Sequence, residues 1–370
     1  MDKRDDALDV IRALAAIGVV IFHLPSVAQV QFTLPFDPKV YNLANGVPLF
    51  FVLSGYLLTV LMQKNDRHYA PVTAFYIKRF FRIAPLFYAV IAITIFRNMT
   101  LGREFPATSA LIANVSLLFN LTPYYADSLV FAGWTIGVEI LFYLLFPIIY
   151  LMTRSMTGLI ITFTASVLLC EAFVALMHIY RDQPWLRYSL LGLPRRLPIF
   201  LLGVAIARFL PLASASRHSK VIGFCVIAAT IVAGAVLVKS QMGAFVGRHW
   251  RELAAGALMF GLVLCLPARG LGPLAFVGRV SYSTYLIHGL VMLSMTPVYA
   301  WIIALGLGPG PTILIGLGAT FVVALPLSYL TYLLIEQPGI KLGTRLIERI
   351  DQRRAYRAPV AADPALQPAK

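Results

Sequence analysis

The ionisable side chains that lie well inside the long apolar runs of this sequence are few: Arg12, His23, Glu139, Glu171, His178 and His288. Such a group is costly in a membrane span, and its default reading is functional. Arg12 and His23 stand eleven positions apart, which at about 100° per residue leaves them roughly 20° from the same direction. Roughly 16 Å of axial rise separates them, so they mark two depths on one helix face. Glu139 belongs to another run, about 10 Å below the outer surface, against about 6 Å for His23. An imidazole beside a carboxylate gains basicity and a fixed tautomer, which suits general-base chemistry. The structural alternative has Arg12 snorkelling to headgroups and Glu139 pairing with an arginine to hold the bundle.

Other polar side chains share helix faces with these groups. Thr135, Glu139 and Tyr143 recur at i, i+4 and i+8, and Ser281, Tyr285 and His288 at i, i+4 and i+7. Interhelical hydrogen bonding would explain the second stripe without catalysis. Glu171 and His178 also share a face and read as structural. Arg79-Phe80-Phe81-Arg82 places two guanidiniums about one turn apart at the cytoplasmic mouth of an apolar run. Their forked donors suit phosphate, with snorkelling again the alternative. An anionic donor held by Arg79, Arg82 and Arg12 would keep its charged head wet and extend an arm outward to His23. His68, His218 and His249 read as loop residues without HExxH or paired-ligand spacing, so no metal site is expected.

The elements that must position these groups follow from composition. Of 370 residues, 59% are hydrophobic and 13% charged, with a mean hydropathy of +0.80. That excludes a water-soluble enzyme, for which about 25% charged is usual. The net charge of +15 is spread between apolar runs, which fits a lipid bilayer as the medium and not nucleic acid as the partner. Ten spans are expected near 8–27, 42–62, 81–97, 132–152, 158–179, 196–210, 220–238, 252–266, 278–304 and 311–335, the sixth and eighth being short of the roughly 20 residues a bilayer needs. The fold class is therefore all-α, a polytopic membrane bundle, with 108–121 as a re-entrant or interfacial segment. The first run is retained, because Asp5, Asp6 and Asp9 spoil a signal-peptide pattern and no A-x-A site follows. Lys and Arg counted over alternate loops favour cytoplasmic N- and C-termini. Cys170, Cys225 and Cys265 lie in apolar runs and read as packing residues. Residues 1–338 form the membrane domain. Pro338 and Gly339 close the last span, and 339–370 is a basic tail, partly disordered, whose Lys341–Arg357 stretch suits an anionic leaflet.

The order of motifs resembles membrane acyltransferase family 3, the integral-membrane O-acyltransferases that modify bacterial surface polysaccharides. LDVIRALAAIGVVIFH matches its Arg-x10-His motif, NGVPLFFVLSGYLL its second-span signature, and KRFFRIAPLFY its RxxR segment. WTIGVEILFYLLFP resembles its W-S/T-x-x-x-E-x-x-F-Y motif and RLPIFLLG its F-x-x-G segment. VGRVSYSTYLIH and IEQP resemble its last signatures. The matches run from residue 8 to about 338, nearly the whole chain.

The resemblance implies a multi-pass protein of the bacterial inner membrane. It also implies a cytoplasmic acyl-CoA, usually acetyl-CoA, as co-substrate with no bound cofactor, and a carbohydrate hydroxyl as acceptor at the outer face. Arg12, Arg79 and Arg82 become donor-binding candidates, and His23 and Glu139 catalytic ones. Ser54, Tyr285 and His288 become candidates for lining the site. Some relatives carry a further extracytoplasmic domain, so this chain is expected to complete transfer alone or with a partner. His23, assisted by Glu139, would deprotonate the acceptor for attack on the thioester, directly or through an acyl-histidine. The alternative is a transporter or flippase of an acyl group or glycolipid, since buried His and Glu also suit proton relays.

Overall fold

Hydrocarbon offers no partner to a backbone N–H or C=O, so a spanning segment must satisfy them within itself, as a helix does. A computed structural model describes residues 5–29, 46–65, 71–180, 182–239 and 244–357, and among them there is no strand. In chain order the helices are α1 (Asp6–Ala28), α2 (Gly46–Asn65), α3 (Pro71–Thr100), α4 (Thr108–Val115), α5 (Trp134–Met152) and α6 (Met156–Ile179). Next come α7 (Gln183–Leu191), α8 (Leu193–Ser214), α9 (Ser219–Lys239), α10 (Ala244–Cys265) and α11 (Gly272–Arg279). The last are α12 (Ser281–Ser294), α13 (Thr296–Ala304), α14 (Pro309–Thr331) and α15 (Gln337–Arg357).

Each expected span has a helical counterpart among the described residues. Eight helices are long and apolar enough to cross a bilayer, or nine if a bent pair counts as one span. That pair is α12 and α13, which meet at 59°. Pro297 opens α13, where its missing N–H costs no intrahelical bond. The expected span at 252–266 belongs to α10, whose first turns carry His249, Arg251 and Glu252. The 108–121 segment is the short α4 followed by a 3-10 turn at Phe119–Leu121.

α1 begins at Asp5, whose carboxylate accepts from the Ala7 N–H at 2.9 Å, with Asp6 and Asp9 complementing the positive end of the helix. α3 starts about ten residues before its expected span, so the RxxR pair lies inside a helix and not at its mouth. The closure expected at Pro338 is not found. A π-helical turn at Tyr332–Glu336 follows α14, and Pro338 falls in the first turn of α15. Pro338 has no N–H to continue the ladder, and the wide π turn just before it absorbs the break in register. α15 then runs along α3, with Gly339 and Gly343 facing Pro85 and Phe81. Lys341, Arg345 and Arg349 are exposed on it, while residues 358–370 of the expected tail lie outside the described residues.

The core is centred on α2, α5 and α8. Gly55 of α2 faces the Phe200 backbone of α8, and Gly203 of α8 faces the Val52 backbone of α2. This reciprocal pair of glycines lets the two helices approach backbone to backbone, where dispersion contacts hold them in a bilayer. The Phe200 ring stacks on Phe142 of α5 at 4.0 Å between centroids and packs against Phe51 of α2 at 4.7 Å. α9, by contrast, exposes Val221, Phe224, Ile231, Val232 and Val236, an apolar surface fit to face lipid tails.

Candidate active site

A cavity of about 110 Å³ opens between α1, α2, α3, α5 and α12. Arg12, Ser54, Arg79, Arg82, Glu139 and Tyr285 all line it, together with Tyr143 and Tyr282. Six of the residues singled out from the sequence thus meet around one cavity, although they come from five helices.

Three arginines in one intramembrane cavity require compensation. Arg12 Nη1 donates to the buried Asp9 carboxylate at 2.6 Å, one turn back on α1. Arg82 donates to the buried Glu336 carboxylate, which the π turn aims at α3. Glu336 also accepts from Ser283 Oγ at 2.9 Å. Arg79 is different: among the described residues it makes no ion pair within 4 Å, and its buried Nε has no hydrogen-bond partner. Its guanidinium carbon lies 5.9 Å from the centre of the Tyr143 ring. Tyr143 in turn donates to Glu139 Oε2 at 2.9 Å, across the one-turn spacing seen in the sequence. Ser54 borders the same carboxylate.

His23 lies deeper along α1 and is not on the cavity wall. Its ring packs against Phe22, Phe131 and His288, with centroid separations of 5.1, 4.9 and 5.4 Å. Among the described residues no hydrogen bond or ion pair joins His23 to Glu139. An expected match in depth along two helices leaves their azimuths open; here the His288 ring packs on His23 and the Tyr285 ring on His288. The fully buried His288 places Nδ1 2.5 Å from the Tyr285 carbonyl. A carbonyl only accepts, so Nδ1 carries the proton and Nε2 is left as an acceptor. That Nε2 is buried without a partner among the described residues.

Tyr285 connects the two halves. Its ring is 5.7 Å from that of His288, and its hydroxyl accepts from Thr135 at 2.7 Å while donating to the Ala132 carbonyl at 2.8 Å. Ala132 holds a left-handed φ of 56° to present that carbonyl. The neighbouring Phe131 ring fills the space beside Gly289 and covers both histidines.

Asp9 and Glu336 are the acidic residues that sequence reasoning passed over. Asp9 read only as a flaw in a signal-peptide pattern, though its i, i+3 spacing to Arg12 was available. Glu336 sits at the end of an apolar run before Pro-Gly, where a carboxylate reads as interfacial. His249, expected in a loop, is on α10, and Glu171 lies beside it at 2.9 Å, away from the cavity. Among the described residues, His178 bonds within its own helix, Nδ1 to the Val174 carbonyl at 2.7 Å.

A family model described as an acyltransferase domain matches residues 5–330. A peptidoglycan O-acetyltransferase of Listeria monocytogenes is 27% identical over 330 residues, covering 79% of this chain and 50% of the relative. A Bacillus subtilis protein provisionally assigned as a peptidoglycan O-acetyltransferase is 26% identical over 331 residues, with 79% and 49% covered. The chain thus spans about half the length of these curated relatives. No solved structure matches.

Proposed function

Because the chain belongs to this acyltransferase family, we propose that it is a multi-pass bacterial O-acetyltransferase of the inner membrane. In this reading it moves an acetyl group from cytoplasmic acetyl-CoA to a hydroxyl of a cell-envelope carbohydrate. The observation that carries the reading is the convergence of Arg12, Arg79 and Arg82 on one intramembrane cavity beside Glu139 and Tyr285. With Arg12 and Arg82 paired to Asp9 and Glu336, Arg79 is the arginine of the three that has no ion pair among the described residues, and a phosphate-bearing acyl donor supplies an anion for it. The named activity of the Listeria relative supports an envelope glycan as acceptor class. The basic loops and α15 support cytoplasmic termini.

Arg79 takes the first donor phosphate in this scheme, since its Nε has no other partner among the described residues. Asp9 and Glu336 hold Arg12 and Arg82 in position. The acceptor hydroxyl gives its proton to His23, and its oxygen attacks the thioester carbonyl. Collapse of the adduct breaks the C–S bond, and CoA leaves as thiolate to take up the proton. His288 Nε2 offers an acceptor next to His23. Glu139, bonded to Tyr143 on the cavity wall, stands on the donor side of the site rather than beside His23. Ser54 lines the cavity as a candidate donor to a developing oxyanion, whereas Tyr285 already donates its proton to the Ala132 carbonyl.

The test is transfer of labelled acetyl from acetyl-CoA by the purified chain in nanodiscs, with muropeptides or short envelope glycans as acceptors. Acetyl-ester formation with release of one CoA per ester is expected. Translocation of a glycolipid or acyl group with no ester formed would sink the reading and favour a transporter.

A further inference from the structure

Away from the cavity, α6 and α10 bring a second reactive cluster together, against the start of α8. Cys170 Sγ lies 4.0 Å from Glu171 Oε1, which is itself 2.9 Å from His249 Nε2. The three donor atoms all fall within 4.8 Å of one another. On the other side of the imidazole, Nδ1 faces Glu252 Oε2 at 3.5 Å. Cys170 and Glu252 are buried, whereas the Glu171 side chain is 30% exposed.

We propose that Cys170, Glu171 and His249 form a site for a thiophilic divalent cation of the zinc class, with Glu252 holding the histidine ring. Thiolate, imidazole and carboxylate are the donor types zinc accepts, at about 2.0–2.3 Å in a tetrahedron. Those lengths set neighbouring ligand atoms roughly 3.3–3.7 Å apart; two of the separations here are 2.9 and 4.0 Å, and all three atoms lie within 4.8 Å of one another. A metal-bound histidine commonly donates its outer N–H to a carboxylate, which fixes the tautomer. Glu252 stands where that carboxylate belongs.

A divalent ion displaces the Cys170 thiol proton and offsets the resulting thiolate beside Glu171 and Glu252. The cluster abuts the start of α8, where Cys170 Sγ donates to the Arg195 backbone carbonyl. The partly exposed Glu171 and His249 give the ion and a chelator a way in. Zinc has no redox chemistry, so its role here is to tie α10 to α6 across α8.

The chain, purified in detergent and stripped with a chelator, is titrated with zinc and separately with cobalt. About one equivalent should bind, with a raised Tm, and the cobalt form should show a near-ultraviolet thiolate-to-metal charge-transfer band. Cys170→Ser should erase that band, and Glu252→Gln should weaken zinc binding by about 10–100-fold. If Cys170→Ser does not elute as a folded protein, His249→Gln, at a partly exposed position, takes its place and should abolish stoichiometric uptake. A parent protein that binds neither ion overturns the proposal and leaves an ion-pair network. Uptake that persists in the Cys170→Ser/His249→Gln double variant marks adventitious binding and overturns it equally. Acetyl transfer is not the readout, so this outcome stands apart from the proposed activity.

Discussion

Arg82 donates to the buried carboxylate of Glu336 and so joins α3 to the π turn, 254 positions away in the chain. Glu336 takes Ser283 Oγ as a second partner, which brings α12 to the same carboxylate. Breaking a fully buried pair costs about 3–5 kcal/mol. The Arg82 side chain is 27% exposed, and water screens it, so the smaller range of about 1–3 kcal/mol is expected. A thermal double-mutant cycle with Arg82→Gln and Glu336→Gln should return a coupling in that range. Additive losses would show that the two side chains do not support each other.

His23 carries the proposed proton transfer. General-base assistance contributes about 10²–10⁴-fold, so His23→Ala should lower kcat by at least about 10²-fold while the donor KM moves little. Membrane insertion and elution should match the parent. Near-normal turnover by His23→Ala would remove it from the chemistry. His288→Gln keeps a hydrogen-bonding group of similar size beside His23, and should lower kcat less than His23→Ala does.

Arg79 tests donor binding separately. A hydrogen bond to a charged group is worth about 1.5–3 kcal/mol, so Arg79→Gln should raise the KM for acetyl-CoA roughly tenfold to a hundredfold. Its effect on acceptor KM should be small. An unchanged donor KM, with CoA no weaker as an inhibitor, would return Arg79 to a structural role.

Gly289 and Phe131 give a steric test of the outer side of the site. A Cβ on Gly289 would run into the Phe131 ring, which packs on both histidines. Overpacking of this kind costs about 1–3 kcal/mol, and Gly289→Ala should lower both Tm and turnover. Phe131→Leu in the same chain removes the far edge of the ring and should recover part of each. A double variant no better than Gly289→Ala alone would show that the ring is not what the new methyl displaces.

Much of the architecture was legible because a bilayer restricts the solutions. Helices were readable from the long apolar runs, and the low share of charged residues made Arg12, His23 and Glu139 conspicuous. Legibility failed where local chemistry pointed one way and packing another. Pro338 and Gly339 carry the local signature of a helix end, yet the π turn lets the helix resume and lie along α3.

By itself the sequence determined the helical bundle, the membrane medium and the small set of polar side chains available for chemistry. Each of these depends on composition and on local backbone satisfaction. The tertiary structure alone decided who meets whom. It set His23 beside His288, Glu139 beside Tyr143, and Asp9 and Glu336 as the counter-charges of Arg12 and Arg82. It also brought His249 to Glu171 across 78 positions. The physical reason is that rise and turn place a side chain on its own helix. Which neighbour that face meets depends on helix azimuths and close crossings, such as that of Gly55 and Gly203, that no sequence period records.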